Sequence, residues 1–439
     1  MYIESLGCAR NQVDSETMAG QLQLAGWSLT RDPSEATVIV VNTCSFVTSA
    51  INESIDTILE LAGFKKKGRC RKLVVAGCLP ERFREDIVDA LPEVDQFIGT
   101  GAFGRIVDAV NDDLAGQTCL LPDPDRIPIA KIAQRKREKP YSAYLKIAEG
   151  CSRHCTYCII PRLRGRQKSR PMAQILDEAG ALITSGAREL NLVAQDTTFY
   201  GRDLNVPIAF DTLLARLAGM AGDTWVRFLY GHPESITDAV IETIASHDNL
   251  CPYFALPIQH AADPVLKKMG RHYNPSRLME LFERIRTTVP GAVIRTTLIV
   301  GFPGETDADF ETLMKFVERV KFDHLGVFTY SDADDLPSHM LSGHVDPQVA
   351  RSRYDAVMAR QMEISAENLA GMIGRSMPVL IESSPEPDLC EGRSPLQAPE
   401  VDGITFVRTA PGAAPLSVGQ VVSVAITETL EYDLIGNAL

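Results

Sequence analysis

Short apolar runs alternate with helical patterns along two stretches of this chain, residues 1–120 and 143–330, and this alternation limits the possible folds more than any other feature. Strands that alternate with helices form parallel sheets with crossover connections. In the first stretch the strands are predicted over 2–6, 37–41 and 72–76, each followed by a helix, over 14–24, 49–61 and 81–91. The sequence therefore predicts an α/β fold that begins with a parallel-sheet domain.

The second stretch contains six strand–helix units. Its strands are predicted over 143–148, 189–194, 225–230, 253–256, 293–300 and 324–329, and a helix over 347–369 follows them. Six units are too few for a closed eight-stranded barrel, so a partial (β/α)6 barrel is expected.

The last part of the chain changes to strand patterns separated by Gly, Pro and Ser, over 378–382, 404–408 and 421–427. This pattern predicts a small all-β barrel. A proline-rich stretch and a charge run precede the central domain. The predicted organisation is a first domain over 1–125, a linker over 126–139, a central domain over 140–371 and a β-barrel domain over 372–439.

Three cysteines, Cys8, Cys44 and Cys78, each follow the end of a predicted strand of the first domain. The carboxyl ends of parallel strands meet at one edge of the sheet, where ligands bind in open α/β folds, so the three thiols can converge. A three-cysteine metal site is the functional interpretation, and three buried small hydrophobic residues are the alternative. Four other cysteines have no such placement and are interpreted as structural: Cys70, Cys119, Cys251 and Cys390.

The central domain carries Cys151, Cys155 and Cys158 on one loop after its first strand, with the spacing Cys-x3-Cys-x2-Cys. A four-iron cluster is normally held by four thiolates, so three ligands leave one iron open to bind a small molecule. Zinc is a weaker alternative, because structural zinc needs a fourth ligand and His154 lies awkwardly beside Cys155. A cysteine-rich core loop is the remaining alternative.

This loop, with Tyr157 just before its last cysteine, resembles the radical S-adenosylmethionine (SAM) signature. The resemblance implies that the open iron binds SAM, that SAM is cleaved reductively to a carbon radical, and that the backbone around Tyr157 holds the adenine. Further segments resemble SAM-contacting segments of that superfamily at Gln195, Arg295, Gly301 and Glu305. Polar side chains at strand ends are suited to that task, although each segment is also what a turn or a helix cap needs.

Together with Cys8, Cys44 and Cys78 and a C-terminal β-domain, the loop resembles the methylthiotransferase family over nearly the whole chain. The resemblance implies two [4Fe–4S] clusters, the second one an auxiliary cluster on these three cysteines that delivers sulfur. It also implies a TRAM-like C-terminal domain, insertion of a methylthio group into an unreactive C–H bond, and an electron donor such as flavodoxin or ferredoxin.

Charge indicates which substrate to expect. The family's branches modify either an adenosine in tRNA or an aspartate in small-subunit ribosomal protein uS12. Residues 373–439 contain three basic and nine acidic residues, a balance unsuited to binding phosphates and suited to a basic protein. The segments 397–403 and 431–436 resemble the uS12 branch. The expected function is methylthiolation of the aspartate β-carbon in uS12, and a tRNA adenosine methylthiotransferase is the alternative.

Composition sets the remaining expectations. The net charge of −13 argues against generic nucleic-acid binding. Ten cysteines without a signal peptide pattern or a long apolar run indicate a soluble cytoplasmic protein, expected as a monomer, whose thiols bind metal. Five cations between residues 162 and 170 are interpreted either as a solvated loop or as a site for an anion. A protein whose clusters only carry electrons is a third functional class.

Overall fold

A computed structural model describes residues 1–111, 113–114, 116–127, 135–386, 388–410, 412 and 414–439. The first domain is a five-stranded parallel sheet whose strands follow in chain order. The three predicted strands are present, and two short strands follow them. The strands are Tyr2–Ser5, Val38–Thr43, Lys72–Gly77, Gln96–Ile98 and Cys119–Leu120.

The second and third strands are buried along their whole length, as expected for β-branched central strands of a parallel sheet. The predicted helix over 81–91 is instead two short helices joined by a 3₁₀ turn, because Arg84 has a φ of +55°, which a continuous helix does not accommodate. The helices of this domain are Ala9–Leu24, Thr48–Ala62, Phe64–Lys67, Cys78–Phe83, Ile87–Ala90 and Ile106–Val110.

The central domain is the expected partial barrel. Its six parallel strands form two sets of three, joined by a parallel bridge between Val226 and Leu250. The strands are Ser142–Lys146, Glu189–Val193, Trp225–Phe228, Tyr253–Ala255, Val293–Val300 and His324–Thr329. The larger helices around them are Met172–Thr184, Phe210–Ala221, Asp238–Ala245, Asp263–Lys268, Pro275–Thr288, Asp307–Val320 and Pro347–Ala370.

The C-terminal domain is a closed barrel of five strands, two more than predicted. Its strands are Ser376–Glu386, Leu389–Arg393, Thr405–Arg408, Val421–Thr429 and Leu434–Ala438. The C-terminal barrel attaches to the central domain at Glu189, a residue of the central domain. The Glu189 carboxylate accepts hydrogen bonds from Arg393 of the C-terminal barrel at 2.8 Å and from Arg227 of its own domain at 3.1 Å. These three side chains are at most 1% exposed, so a buried carboxylate between two guanidinium groups fixes the C-terminal domain.

The predicted linker over 126–139 lies partly outside the described residues, since 128–134 are not among them. Its described end is anchored by Arg135, which binds Glu16 of the first domain at 2.5 Å and Glu178 of the central domain at 2.8 Å. The linker therefore joins the two domains through a buried ion pair on each side. No helix in the described part of the chain is long and apolar enough to cross a membrane.

Candidate active site between the first domain and the barrel

The loop with Cys151, Cys155 and Cys158 follows the first barrel strand. It packs against the segment after helix Asp263–Lys268. The Thr156 N–H donates to the Met269 carbonyl at 3.1 Å. Gly270 has a φ of +74°, and a Cβ there would lie 2.7 Å from the His154 carbonyl oxygen. Only glycine permits this approach without strain, so the segment supports the loop by direct backbone contact.

Tyr157 connects this loop to a second element. Its hydroxyl accepts hydrogen bonds from Arg271 at 2.5 and 3.1 Å. Its ring packs edge to face on Phe302, with centroids 6.3 Å apart. Phe302 belongs to the turn after the fifth barrel strand, so Tyr157 joins the cysteine loop to the glycine-containing turn that the sequence also singled out.

The first-domain cysteines lie at the carboxyl edge of the sheet, as predicted. Cys8 is the N-cap of helix Ala9–Leu24, Cys44 follows the second strand, and Cys78 begins a helix after the third. Gly7 has a φ of +93°, and a Cβ there would lie 2.7 Å from the Cys44 Cβ. This glycine therefore lets the first two cysteine loops approach.

Hydrogen bonds hold the three first-domain loops together. The Asn11 carboxamide donates to the carbonyls of Leu6 and Thr43, each at 2.9 Å, and so links the loops of Cys8 and Cys44. The Ser45 hydroxyl donates to the Cys78 carbonyl at 2.8 Å and links the second loop to the third. The structure thus joins three loops whose cysteines are widely separated along the chain.

The thiols of the two groups differ in their electrostatic surroundings. Burial raises the pKa of Cys151 and of Cys78 to about 11 each, and that of Cys158 to about 12. For Cys8, burial is opposed by the nearby guanidinium groups of Arg10 and Arg164, which hold its pKa below the usual range. Cys8 is therefore ionised more readily than Cys78, Cys151 and Cys158.

Arg164 connects the two cysteine groups. Its buried guanidinium donates to Asp14 at 2.7 Å and to Glu149, two residues before Cys151, at 3.3 Å. On the other side it donates to the Asn11 carboxamide oxygen at 2.5 Å and lies 3.6 Å from the Cys78 sulfur.

Lys146 completes this buried network by pairing with the same two carboxylates, Asp14 and Glu149. Burial alone would raise the pKa of Glu149, but Lys146 and Arg164 offset it and hold the pKa well below its usual range. The carboxylate is therefore ionised at neutral pH, and the network balances two cations with two anions.

The donor chemistry of both groups suits iron–sulfur clusters. Across the residues that the structure describes, no group of three or more His, Cys, Asp or Glu side chains could hold a metal ion. A cubane binds each thiolate to a different iron, so its ligands are spread more widely than those of one ion. Buried thiols that ionise only when a metal replaces the proton fit such a cluster.

Four of the five residues predicted to contact SAM lie around the cysteine loop. Gln195 donates to Glu149 at 2.7 Å, and its buried carboxamide oxygen has no donor among the described residues, as a ligand-binding group would. Glu305 accepts from the N–H groups of Gly301 and Phe302, so it shapes the turn after the fifth strand. Tyr157 contacts that same turn through Phe302.

Arg295 is not brought together with these residues. Its guanidinium pairs with Asp402 of the C-terminal barrel and donates to the Val401 carbonyl at 3.2 Å. The segment 397–403, which resembles the uS12 branch in sequence, is thus largely an internal contact, since Gln397 is 3% exposed and the Asp402 side chain is fully buried.

The five cations between residues 162 and 170 are neither a simple solvated loop nor a free anion site. Arg164 and Arg170 are buried against carboxylates, and Lys168 donates to the Ile127 carbonyl at 2.8 Å. Sequence reasoning noted this cluster but missed its role, because Asp14, the partner of Arg164, lies 150 residues away along the chain.

Three family models match the chain. Residues 1–99 match the uncharacterized protein family UPF0004, residues 145–317 match the radical SAM superfamily, and residues 373–439 match the TRAM domain. The solved structure of the radical SAM methyltransferase TsrM from Kitasatospora setae is similar in fold, with a TM-score of 0.58, 12% identity, and coverage of 83% of this chain and 88% of that one. The exact domain bounds predicted from sequence remain a prediction.

Relatives that match over the full length identify the family more closely than the three domain models do. The ribosomal protein uS12 methylthiotransferase RimO of Desulfosudis oleivorans is 51% identical over 100% of this chain and 99% of its own length. Relatives of the same name from Geobacter sulfurreducens and Clostridioides difficile are each 44% identical, over 99% and 100% of this chain and 97% and 98% of their own lengths. The family uses SAM and [4Fe–4S] clusters, which the two cysteine groups fit. The chain therefore belongs to the RimO family of radical SAM methylthiotransferases.

Proposed function

We propose that this chain inserts a methylthio group at the β-carbon of an aspartate in ribosomal protein uS12. One observation carries the proposal: two groups of three cysteines face one interface, and the buried Arg164 network joins them. Both groups lie at the carboxyl ends of parallel strands, where ligands bind, and a chain that only transferred electrons would not need ligand access at both. The names of the full-length relatives support the same reaction.

In this proposal Cys151, Cys155 and Cys158 hold the SAM-binding cluster. The first-domain cysteines Cys8, Cys44 and Cys78 hold the auxiliary cluster. When bound, the clusters and SAM supply a carbon radical that removes hydrogen from an unreactive C–H bond and a sulfur group that replaces it.

The chain's own residues prepare the site for that chemistry. Gln195 presents a carboxamide oxygen near the loop, and Tyr157 is held by Arg271. Glu305 fixes the turn at Gly301, where a Cβ would lie 2.4 Å from the Ala350 Cβ. Glu305 and Phe302 are buried, and a site that excludes water protects a reactive radical from side reactions.

The acidic C-terminal domain supports a basic protein as the substrate. Several of its carboxylates are used internally, since Asp402 pairs with Arg295 and Glu382 with Arg393. Glu386, Asp388 and Glu431 are exposed and available to a basic partner. A tRNA substrate would instead need cations on this domain. In this proposal the enzyme acts on its ribosomal substrate in the cytoplasm, with flavodoxin or ferredoxin as the electron donor.

The ligand assignment is tested by iron content and EPR of anaerobically reconstituted protein. The wild type is expected to hold about eight irons, the number for two cubanes. The Cys151→Ala/Cys155→Ala/Cys158→Ala variant and the Cys8→Ala/Cys44→Ala/Cys78→Ala variant are each expected to hold about four. About four irons in the wild type, with none left in the first variant, would show that the first domain holds no cluster.

The substrate assignment is tested by mass spectrometry of uS12 and of tRNA from a deletion strain. Loss of the methylthio group from uS12, restored by this chain, is the expected result. Loss from tRNA alone would support the tRNA enzyme instead. If uS12 and tRNA both keep their methylthio groups while SAM is still cleaved, the radical SAM chemistry is supported and both substrates are rejected.

A further inference from the structure

Arg10 extends from the first domain across the interface to the barrel. It lies two residues after Cys8, in the first turn of helix Ala9–Leu24. One guanidinium N–H donates to the Ala194 carbonyl at 3.0 Å, directly before Gln195. The side chain therefore lies in the crevice between the auxiliary cysteines and the barrel edge that carries the radical SAM loop.

The Tyr230 ring forms the floor under this guanidinium. The central carbon of the Arg10 guanidinium is 4.4 Å from the ring centroid, a cation–π contact. Tyr230 follows the third barrel strand and has a φ of +60°, a left-handed conformation that is rare for a bulky residue. Such backbone strain concentrates at functional sites, and here it places the ring beneath Arg10.

In the part of the chain that the structure describes, no carboxylate forms an ion pair with Arg10, and the acidic groups that act on its charge are the Cys8 thiol, the Tyr230 hydroxyl and, more weakly, Glu149. Nearby cations of the same interface differ, because Arg135, Lys146 and Arg164 each contact two carboxylates. Arg10 offers five N–H donors and uses one on a protein oxygen. A partly buried cation with free donors is costly unless an anion binds it.

We propose that Arg10 binds the carboxylate of the target aspartate, an inference that rests on the proposed function. A guanidinium fork matches a carboxylate with two parallel hydrogen bonds, which fix its orientation as well as its position. Held in this way beside Cys8, the aspartate presents its β-carbon to the space between the two cysteine groups. The competing role for Arg10 is compensation of negative charge at Cys8 alone.

The test measures binding of two peptides to the reconstituted enzyme with SAM. One peptide spans the target aspartate of uS12, and the other carries Asp→Asn at that position. The wild type is expected to prefer the aspartate peptide by about tenfold or more, as hydrogen bonds to a charged group contribute. Arg10→Met is expected to remove this preference by weakening only the aspartate peptide, and Arg10→Lys to retain part of it.

Arg202→Met is the matched control, because Arg202 is exposed and also stacks on an aromatic ring, that of Phe199, at 5.0 Å. Its peptide preference should equal that of the wild type, and all variants should hold equal iron. The inference is overturned if Arg10→Met weakens both peptides equally, or if it changes only the EPR signal of the auxiliary cluster. A wild type that leaves uS12 unmodified would reject the proposed function itself, whereas modification of uS12 with an unchanged preference in Arg10→Met rejects this inference alone.

Discussion

Each of the two cysteine groups consists of three thiols, but the groups are assembled in opposite ways. Cys151, Cys155 and Cys158 come from eight consecutive residues on one loop. The first-domain group comes from three loops that only the parallel sheet brings to one edge. The first group is a local structure, and the second is a product of the tertiary fold.

Their supports differ in the same way. The local loop is supported by segments of its own domain: Met269, Gly270 and Arg271 contact it, and Arg153 within it pairs with Asp196 and Glu234. The first-domain group depends on another domain, because Arg164 of the barrel lies 3.6 Å from the Cys78 sulfur.

A second ion pair supports the first-domain group across the same interface. Arg82 donates to the Ser45 carbonyl at 2.5 Å and pairs with Asp335 of the barrel at 2.6 Å. The domain interface is therefore part of the auxiliary site.

The largest expected effect comes from breaking that interface at Arg164. Arg164→Met removes the cation shared by Asp14 and Glu149 and leaves two buried carboxylates with Lys146 alone. Breaking a buried ion pair from one side costs about 3–5 kcal/mol. Denaturant melts should show this loss in the free energy of unfolding, and EPR should show loss of the auxiliary cluster while the loop cluster stays.

Arg162→Met is the control for this prediction. Arg162 lies on the same short helix, and its side chain is 54% exposed and pairs with Asp335 at 3.4 Å. An exposed pair of this kind contributes about 1 kcal/mol or less. Equal loss of both clusters in Arg164→Met would mean that the two groups share one support, against the contrast drawn above.

Substitution of Gly270 is expected to have a smaller effect, and to weaken the loop cluster rather than the auxiliary cluster. Alanine there meets the His154 carbonyl and must adopt a left-handed conformation, a combined cost of about 2–3 kcal/mol. Gly270→Ala should therefore reduce SAM cleavage and the loop cluster, measured by EPR, with the auxiliary cluster retained. Gly186→Ala is the matched control, since Gly186 has a φ of +101° but open space around it. Similar iron loss in both variants would show that conformational strain, and not the contact with the loop, is responsible.

Predictability from sequence follows the same division between local and tertiary features. The six barrel strands were predicted to within a few residues, because each is a short run rich in apolar residues that is separated from the next by a helical pattern. The position of each first-domain cysteine after a strand of one parallel sheet was predicted from the strand pattern, and the structure places all three there. Strands Leu389–Arg393 and Leu434–Ala438 were missed, because glycine and polar residues interrupt their short patterns.

Partners across domains could not be predicted. Arg295 was expected at SAM because its segment resembles SAM-contacting segments of the family, but its partner Asp402 is 107 residues away in another domain. Arg10 gave no signal at all beyond its proximity to Cys8. A charged residue's role depends on which opposite charge the fold places beside it, and a single sequence does not contain that information.

The smallest expected effect concerns the C-terminal interface, where the charge arrangement is reversed. Arg164 is a cation between two carboxylates, whereas Glu189 is a carboxylate between Arg227 and Arg393. Burial alone would raise the pKa of Glu189, but the two guanidinium groups offset it and hold the pKa well below its usual range. Because the folded-state pKa is depressed, the stabilisation is complete above the unfolded pKa of about 4.3 and is lost as pH falls through the folded pKa.

Between pH 7 and about pH 4.3 the Glu189 contribution should therefore fall by only about 0.4 kcal/mol, and faster below that. The chain has two tryptophans, and Trp225 begins the strand that carries Arg227, so its fluorescence in a Trp27→Phe background reports on this interface. The measurement compares the free energy of unfolding of that background with and without Glu189→Gln at each pH. Both chains carry the same six cysteines, so loss of clusters in acid cancels in the difference. A difference that stays constant from pH 7 to about pH 3 would mean that Glu189 is not held ionised by its two arginines, and the contrast in sign between the two interfaces would fail.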